Sequence, residues 1–116
     1  MPKFMLMLMD RPSDYADLSP AEMQKVVKEY GAWAKKMGRE GKLVGGEKLA
    51  DEGGRIIRRK GEKVTVTDGP FVEAKEVLGG VFIIKAGSYD EAVELAKTCP
   101  HMTYGCATHV RQIDGP

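Results

Sequence analysis

Lys3-Phe4-Met5-Leu6-Met7-Leu8-Met9 opens the chain with six apolar residues in a row, and Asp10-Arg11-Pro12 stops them. A short apolar run ended by turn residues suits a β-strand better than a helix. Its two faces, Phe4/Leu6/Leu8 and Met5/Met7/Met9, are both apolar, so this strand is expected at the centre of a sheet covered on both sides. Val81-Phe82-Ile83-Ile84, after Gly79-Gly80, repeats the pattern. Between and behind these runs lie two helix signatures. Ser19-Pro20-Ala21-Glu22 is a capping box with Pro at the first helical position, followed by Met23, Val26, Val27, Tyr30, Ala34 and Met37 at helical spacing as far as Gly38 or Gly41. Ser88-Tyr89-Asp90-Glu91 opens a second helix through Ala92, Leu95 and Ala96, ending before Pro100.

The remaining strands are weaker. Leu43–Glu47 contains Gly45-Gly46; Arg55–Arg59 and Glu62–Thr67 flank the turn signal Lys60-Gly61; Cys106–Ile113 reads as a polar edge strand. The order strand–helix–strand, hairpin, strand–helix–strand predicts an α+β fold, a ferredoxin-like split βαβ with an inserted hairpin. Two helices cover one face of such a sheet. The other apolar face is expected to pair with a second copy, giving a homodimer; a hairpin folded over the sheet is the other solution.

The chain has 116 residues, which supports one domain spanning 1–116 and a core that needs no disulfide or structural metal. With 18 Lys+Arg against 17 Asp+Glu, net charge +1, no field argues for nucleic acid or an anionic membrane. The first apolar run is too short for a membrane span and lacks a cleavage pattern, and two Cys make no disulfide framework. The expectation is a soluble, cytoplasmic protein. The glycines lack phosphate-loop spacing, and no cofactor signature stands out.

The stretch Thr67-Asp68-Gly69-Pro70-Phe71-Val72-Glu73-Ala74-Lys75-Glu76-Val77-Leu78-Gly79-Gly80 resembles the YCII-related, or DGPF-domain, family. The match includes Asp-Gly-Pro-Phe, Glu-x-Lys-Glu and Gly-Gly before an aromatic-apolar strand containing Phe82; Gly45-Gly46-Glu47 and His109-Val110-Arg111 extend it. The resemblance implies a dimeric α+β barrel among small bacterial proteins of mostly unassigned activity, some accompanying extracytoplasmic-function sigma factors. It also implies a His on the first helix paired with an Asp ending the second. Here Tyr30 and Cys99 stand at those positions. Neither titrates near neutrality without strong perturbation, so the inherited dyad is not expected.

The turn Asp68-Gly69-Pro70-Phe71 holds Asp68 and the following Glu73 and Lys75, the last two on one face of an extended segment, so they are candidates for a pocket mouth; a cross-loop ion pair is the plainer account. Cys99, His101, Cys106 and His109 hold every Cys and His in the chain, but their spacing is not a zinc pattern. His101 is the better single binding candidate, against a capping or surface histidine. Tyr30 and Trp33 are expected as core or dimer contacts. Arg55, Arg58, Arg59, Lys60 and Lys63 form a basic hairpin without aromatics, expected to be solvated.

The function expected is therefore a homodimeric small-molecule-binding protein, with weak acid–base chemistry on a small polar metabolite. Its candidate pocket is Tyr30, Asp68, Glu73, Lys75, Cys99 and His101. The alternative is a non-enzymatic module docking a transcription regulator through the hairpin.

Overall fold

The structure is a computed structural model, and it describes residues 1–11, 17–50, 53–69 and 76–115. Nine elements run in the order β1 (Lys3–Asp10), α1 (Pro20–Arg39), β2 (Leu43–Lys48), β3 (Arg55–Lys60), β4 (Lys63–Asp68), β5 (Val77–Lys85), α2 (Tyr89–Lys97), α3 (His101–Tyr104) and β6 (Ala107–Gln112). Four strands make an antiparallel sheet in the order β2-β5-β1-β6, which is the ferredoxin-like arrangement with β1 and β5 at its centre.

The helices cover one face of this sheet. Phe4, Leu6 and Leu8 of β1 and Ile84 of β5 are buried against Trp33 and Met37 of α1 and Ala92 and Ala96 of α2. Ser19 caps α1 in a full capping box, with Ser19 Oγ accepting from the Glu22 amide at 3.1 Å. The Trp33 indole donates to Thr98 Oγ1 at 2.8 Å, tying α1 to the end of α2, and its ring meets Phe82 edge-on at 4.9 Å. Trp33 is thus a core residue.

On the opposite face the register sets Met5 beside Ile83 and Arg111, and Met7 beside Val81 and His109. No described helix covers that face.

Three features differ from the sequence expectation. β5 begins at Val77, four residues before the apolar run, and takes Gly79-Gly80 into the strand. The register slips between Leu8 and Met9, so that Leu8 faces Gly80 and Met9 faces Leu78, leaving Gly79 as the extra residue of a bulge. A one-turn helix, α3, fills what read as a loop after Pro100; four residues are too few to show a periodicity.

The hairpin β3–β4 forms its own two-stranded sheet, closed at its base by the Gly69 amide on the Gly54 carbonyl at 3.1 Å. It forms no ladder with the main sheet, and Ile57, Val64 and Val66 are largely exposed on it. Its basic residues do not make one patch. Strand alternation puts Arg58, Lys60 and Lys63 on one face, and Arg55 and Arg59 on the other beside Ile57, Val64 and Val66. Among the described residues no helix is long and apolar enough to cross a membrane.

Candidate functional site

The chain's histidine between α2 and β6 is the best-buried polar side chain described. His101 is 1% exposed, not the surface or capping residue expected, because the single turn of α3 folds its ring back over the end of β1. Tyr30 reaches it from the middle of α1, with Oη 2.8 Å from Nδ1. The other ring nitrogen, Nε2, lies 2.8 Å from the Met9 carbonyl oxygen and 3.8 Å from Asp10 Oδ1.

This geometry assigns the protons. A carbonyl offers only lone pairs, so Nε2 carries the hydrogen and donates to Met9. In the neutral ring Nδ1 is then an acceptor, and the Tyr30 hydroxyl donates to it. The Met9 carbonyl also accepts from the Cys106 amide and from Cys106 Sγ, each at 3.2 Å. Three donors converging on one oxygen fix the plane against which the imidazole rests.

Asp10 is the member that sequence reasoning missed. Strand alternation carries the helix-facing series Phe4, Leu6, Leu8 one step further to Asp10, placing a carboxylate at the edge of the covered face. That series was the signal available. Because Asp10 ends the apolar run, it reads as turn rather than strand.

Together these groups lie at one end of a cleft of ≈ 1280 Å³ between α1, the β2–β5 edge and the base of the hairpin. Met23, Val26, Val27, Leu78 and Phe82 supply apolar walls, and Glu47 and Lys48 stand on the β2 side. Both members of the pair line the cleft, and Tyr30, half-buried where His101 is 1% exposed, is the more accessible of the two. Nearby Tyr104 has its phenol held above the ordinary value, chiefly by a hydrogen bond to Glu29 and then by burial and the same carboxylate's charge.

Cys99 and Asp68 do not join the pair. Cys99 is buried in the core between α2 and α3 and does not partner Tyr30; the helix turn after Pro100 presents His101 instead. Burial pushes the Cys99 thiol up, against a smaller opposing effect of a hydrogen bond from the His101 backbone. Asp68 ends β4 fully in solvent and pairs with Arg55 at 3.4 Å, away from the cleft lining. Glu73 and Lys75 lie outside the described residues.

The comparisons with known proteins agree with this architecture. An uncharacterized protein of Rhizobium meliloti (strain 1021) is 32% identical over 80 residues, 68% of this chain. The match spans 64% of that relative's length. Among solved structures, 5-chloro-2-hydroxyhydroquinone dehydrochlorinase from Burkholderia phenoliruptrix AC1100, in complex with 2,5-dihydroxybenzoquinone, superposes with a TM-score of 0.53. It covers 98% of this chain and 95% of its own at 18% identity, a likeness of fold. The YCII-related domain profile matches residues 2–114, and the chain belongs to that family.

Proposed function

We propose that this protein binds a small hydroxylated ring compound in the α1–sheet cleft and moves a proton to or from it through Tyr30. The observation that carries the reading is the Tyr30–His101 hydrogen bond, anchored on the Met9 carbonyl and flanked by Asp10, with Tyr30, His101 and Asp10 all lining the cleft. Hydrogen-bonded acid–base pairs lining a cleft are the usual place to look for chemistry.

In the base direction, Tyr30 Oη takes a proton from the ligand while its own proton passes to His101 Nδ1. The resulting imidazolium keeps its Nε2–H on the Met9 carbonyl, with the Asp10 carboxylate 3.8 Å away to offset the new charge. In the acid direction the same protons return, and Tyr30 donates into the cleft. Apolar walls from Met23, Val26, Val27, Leu78 and Phe82, with the Tyr30 hydroxyl and charged groups such as Asp10 and Lys48 among them, suit a flat ring bearing ionisable oxygens. The ligand named for the structurally similar dehydrochlorinase, 2,5-dihydroxybenzoquinone, is of that class.

A homodimer belongs to the same proposal. The sheet face that no described helix covers carries Met5, Met7, Val81 and Ile83, an apolar set only half-buried in the single chain.

Calorimetric titration with 2,5-dihydroxybenzoquinone and its hydroquinone tests the site. Binding to the parent protein, weakened about tenfold or more by Tyr30→Phe, is the expected result. Equal affinity in parent and variant, or no binding of either compound, overturns the proposal.

The exposed Ile57, Val64 and Val66 on the hairpin favour a second reading, an arm that docks another protein. A lysate pull-down repeated with Arg58→Glu/Arg59→Glu separates the two, and an unchanged pattern removes the arm reading.

A further inference from the structure

Two glycines occupy the places where a side chain would collide with the candidate site. A Cβ on Gly105 would fall onto the imidazole of His101, overlapping Cε1 and Nε2. A Cβ on Gly79 would fall onto Asp10 Oδ2, while the other oxygen of that carboxylate is the one facing His101 Nε2. Neither glycine is required by its backbone conformation. Gly105 is extended, at φ −95° and ψ 178°, and Gly79 has no positive φ. What the two positions require is empty space.

We infer that Gly79 and Gly105 are positioning residues that seat the Asp10 carboxylate and the His101 ring, and thereby fix which ring nitrogen Tyr30 meets. Gly105 follows the single turn of α3, and its amide closes that turn on the His101 carbonyl at 2.8 Å. The ring therefore lies flat against the backbone that ends its own helix. Gly79 is the bulged residue of β5, and its carbonyl accepts from the Leu49 amide at 2.9 Å. The bulge interrupts the β1–β5 ladder at Leu8 and Met9, immediately before the carboxylate, and the missing side chain leaves Asp10 room to turn toward Nε2. With a methyl group at 105, the ring must leave the Met9 carbonyl, and the Nε2–H tautomer loses its anchor. With a methyl group at 79, the carboxylate must leave the ring.

This inference concerns how the trio is held, and stands whether or not the trio transforms a ligand. Its test therefore reads the histidine and not activity. The protein has two histidines, so the ring nitrogens of His101 can be followed by nitrogen-15 NMR, with exposed His109 as the internal control. At one pH where the ring is neutral, the parent should show a single Nε2–H tautomer. Gly105→Ala should mix the tautomers, and Gly38→Ala, where a Cβ meets nothing within 4 Å, should leave them unchanged. Asp10→Asn should displace the Nε2 resonance. Gly79→Ala should displace it the same way, and should add nothing in the Asp10→Asn background, where the collision persists but the charge is gone.

A Gly105→Ala variant that retains one Nε2–H tautomer overturns the inference, as does a Gly79→Ala effect of equal size with Asn at position 10. Should Gly105→Ala not fold, unfolding midpoints decide the matter. The substitution must be tolerated once His101→Ala has vacated the space, and continued failure to fold overturns the inference.

Discussion

Tyr30 and His101, 71 residues apart in sequence, share a 2.8 Å hydrogen bond whose direction is fixed from the far side of the ring. Because Met9 holds the Nε2 hydrogen, the phenol donates whenever the imidazole is neutral, turning its lone pairs to the cleft. Once Nδ1 gains a proton, the phenol must accept, and its own hydrogen swings outward. One sealed histidine thus decides whether the cleft sees an acceptor or a donor.

The first prediction concerns the stability held in that bond. Tyr30→Phe keeps the ring and removes the donor, leaving His101 Nδ1 as a buried acceptor without its partner. Unsatisfied buried polar groups cost about 1–3 kcal/mol, and the variant should lose stability in that range. The measurement is denaturant unfolding followed through Trp33, the chain's one tryptophan. A loss well under 0.5 kcal/mol would mean that water replaces the hydroxyl and that the ring is less sealed than its 1% exposure indicates.

The sheet order and both long helices were legible because their signals are local. The doubly apolar runs 3–9 and 81–84, two serine caps and one hairpin turn leave few topologies open. The candidate site was less so. The family pattern points to the Tyr30 and Cys99 positions, yet the residue Tyr30 bonds is His101, two residues on. That displacement depends on how one turn of helix follows Pro100, which carries no periodic pattern. Asp10 was hidden by its own role in ending the apolar run. The Gly79 bulge was hidden because an extra residue in a strand shows itself only through its pairing partner.

The uncovered sheet face makes the second prediction. Met7 pairs with Val81 and His109 near the middle of that face, and a carboxylate there would have to give up its water when two copies pair. Sedimentation equilibrium should find a dimer for the parent and a monomer for Met7→Glu. The variant should fold, since Met7 lies outside the helix-covered core. A monomeric parent would assign the face to another partner.

Thr108 sits on the covered side of β6, opposite Leu8, and its hydroxyl is buried with no hydrogen-bond partner in the structure. Such a group is a cost without a return. Thr108→Val replaces the hydroxyl by a methyl of similar shape on a residue that favours strands. The expected gain is about 1 kcal/mol, read as a higher unfolding midpoint with unchanged denaturant slope. A loss of stability would point to a partner for the hydroxyl, and an ordered water is the first to look for.

Cys99 gives a dependence on pH. Burial among α2, α3 and the sheet holds its thiol above the ordinary value of 9.0, and the bond from the His101 backbone only partly offsets this. Below pH 9 folded and unfolded chains both keep the proton, and the thiol contributes its full stability. As pH rises past 9 the unfolded chain releases its proton first, so stability falls until the raised folded-state value is passed. Unfolding free energy measured from pH 8 upward should therefore decline more steeply in the parent than in Cys99→Ala, after correction for the variant's lower baseline. The same burial makes Cys99 slow toward a thiol reagent at neutral pH, because the thiolate is the reactive species. Half-buried Cys106 should react first, and modification of both thiols at one rate would show that the α2–α3 corner opens as a unit.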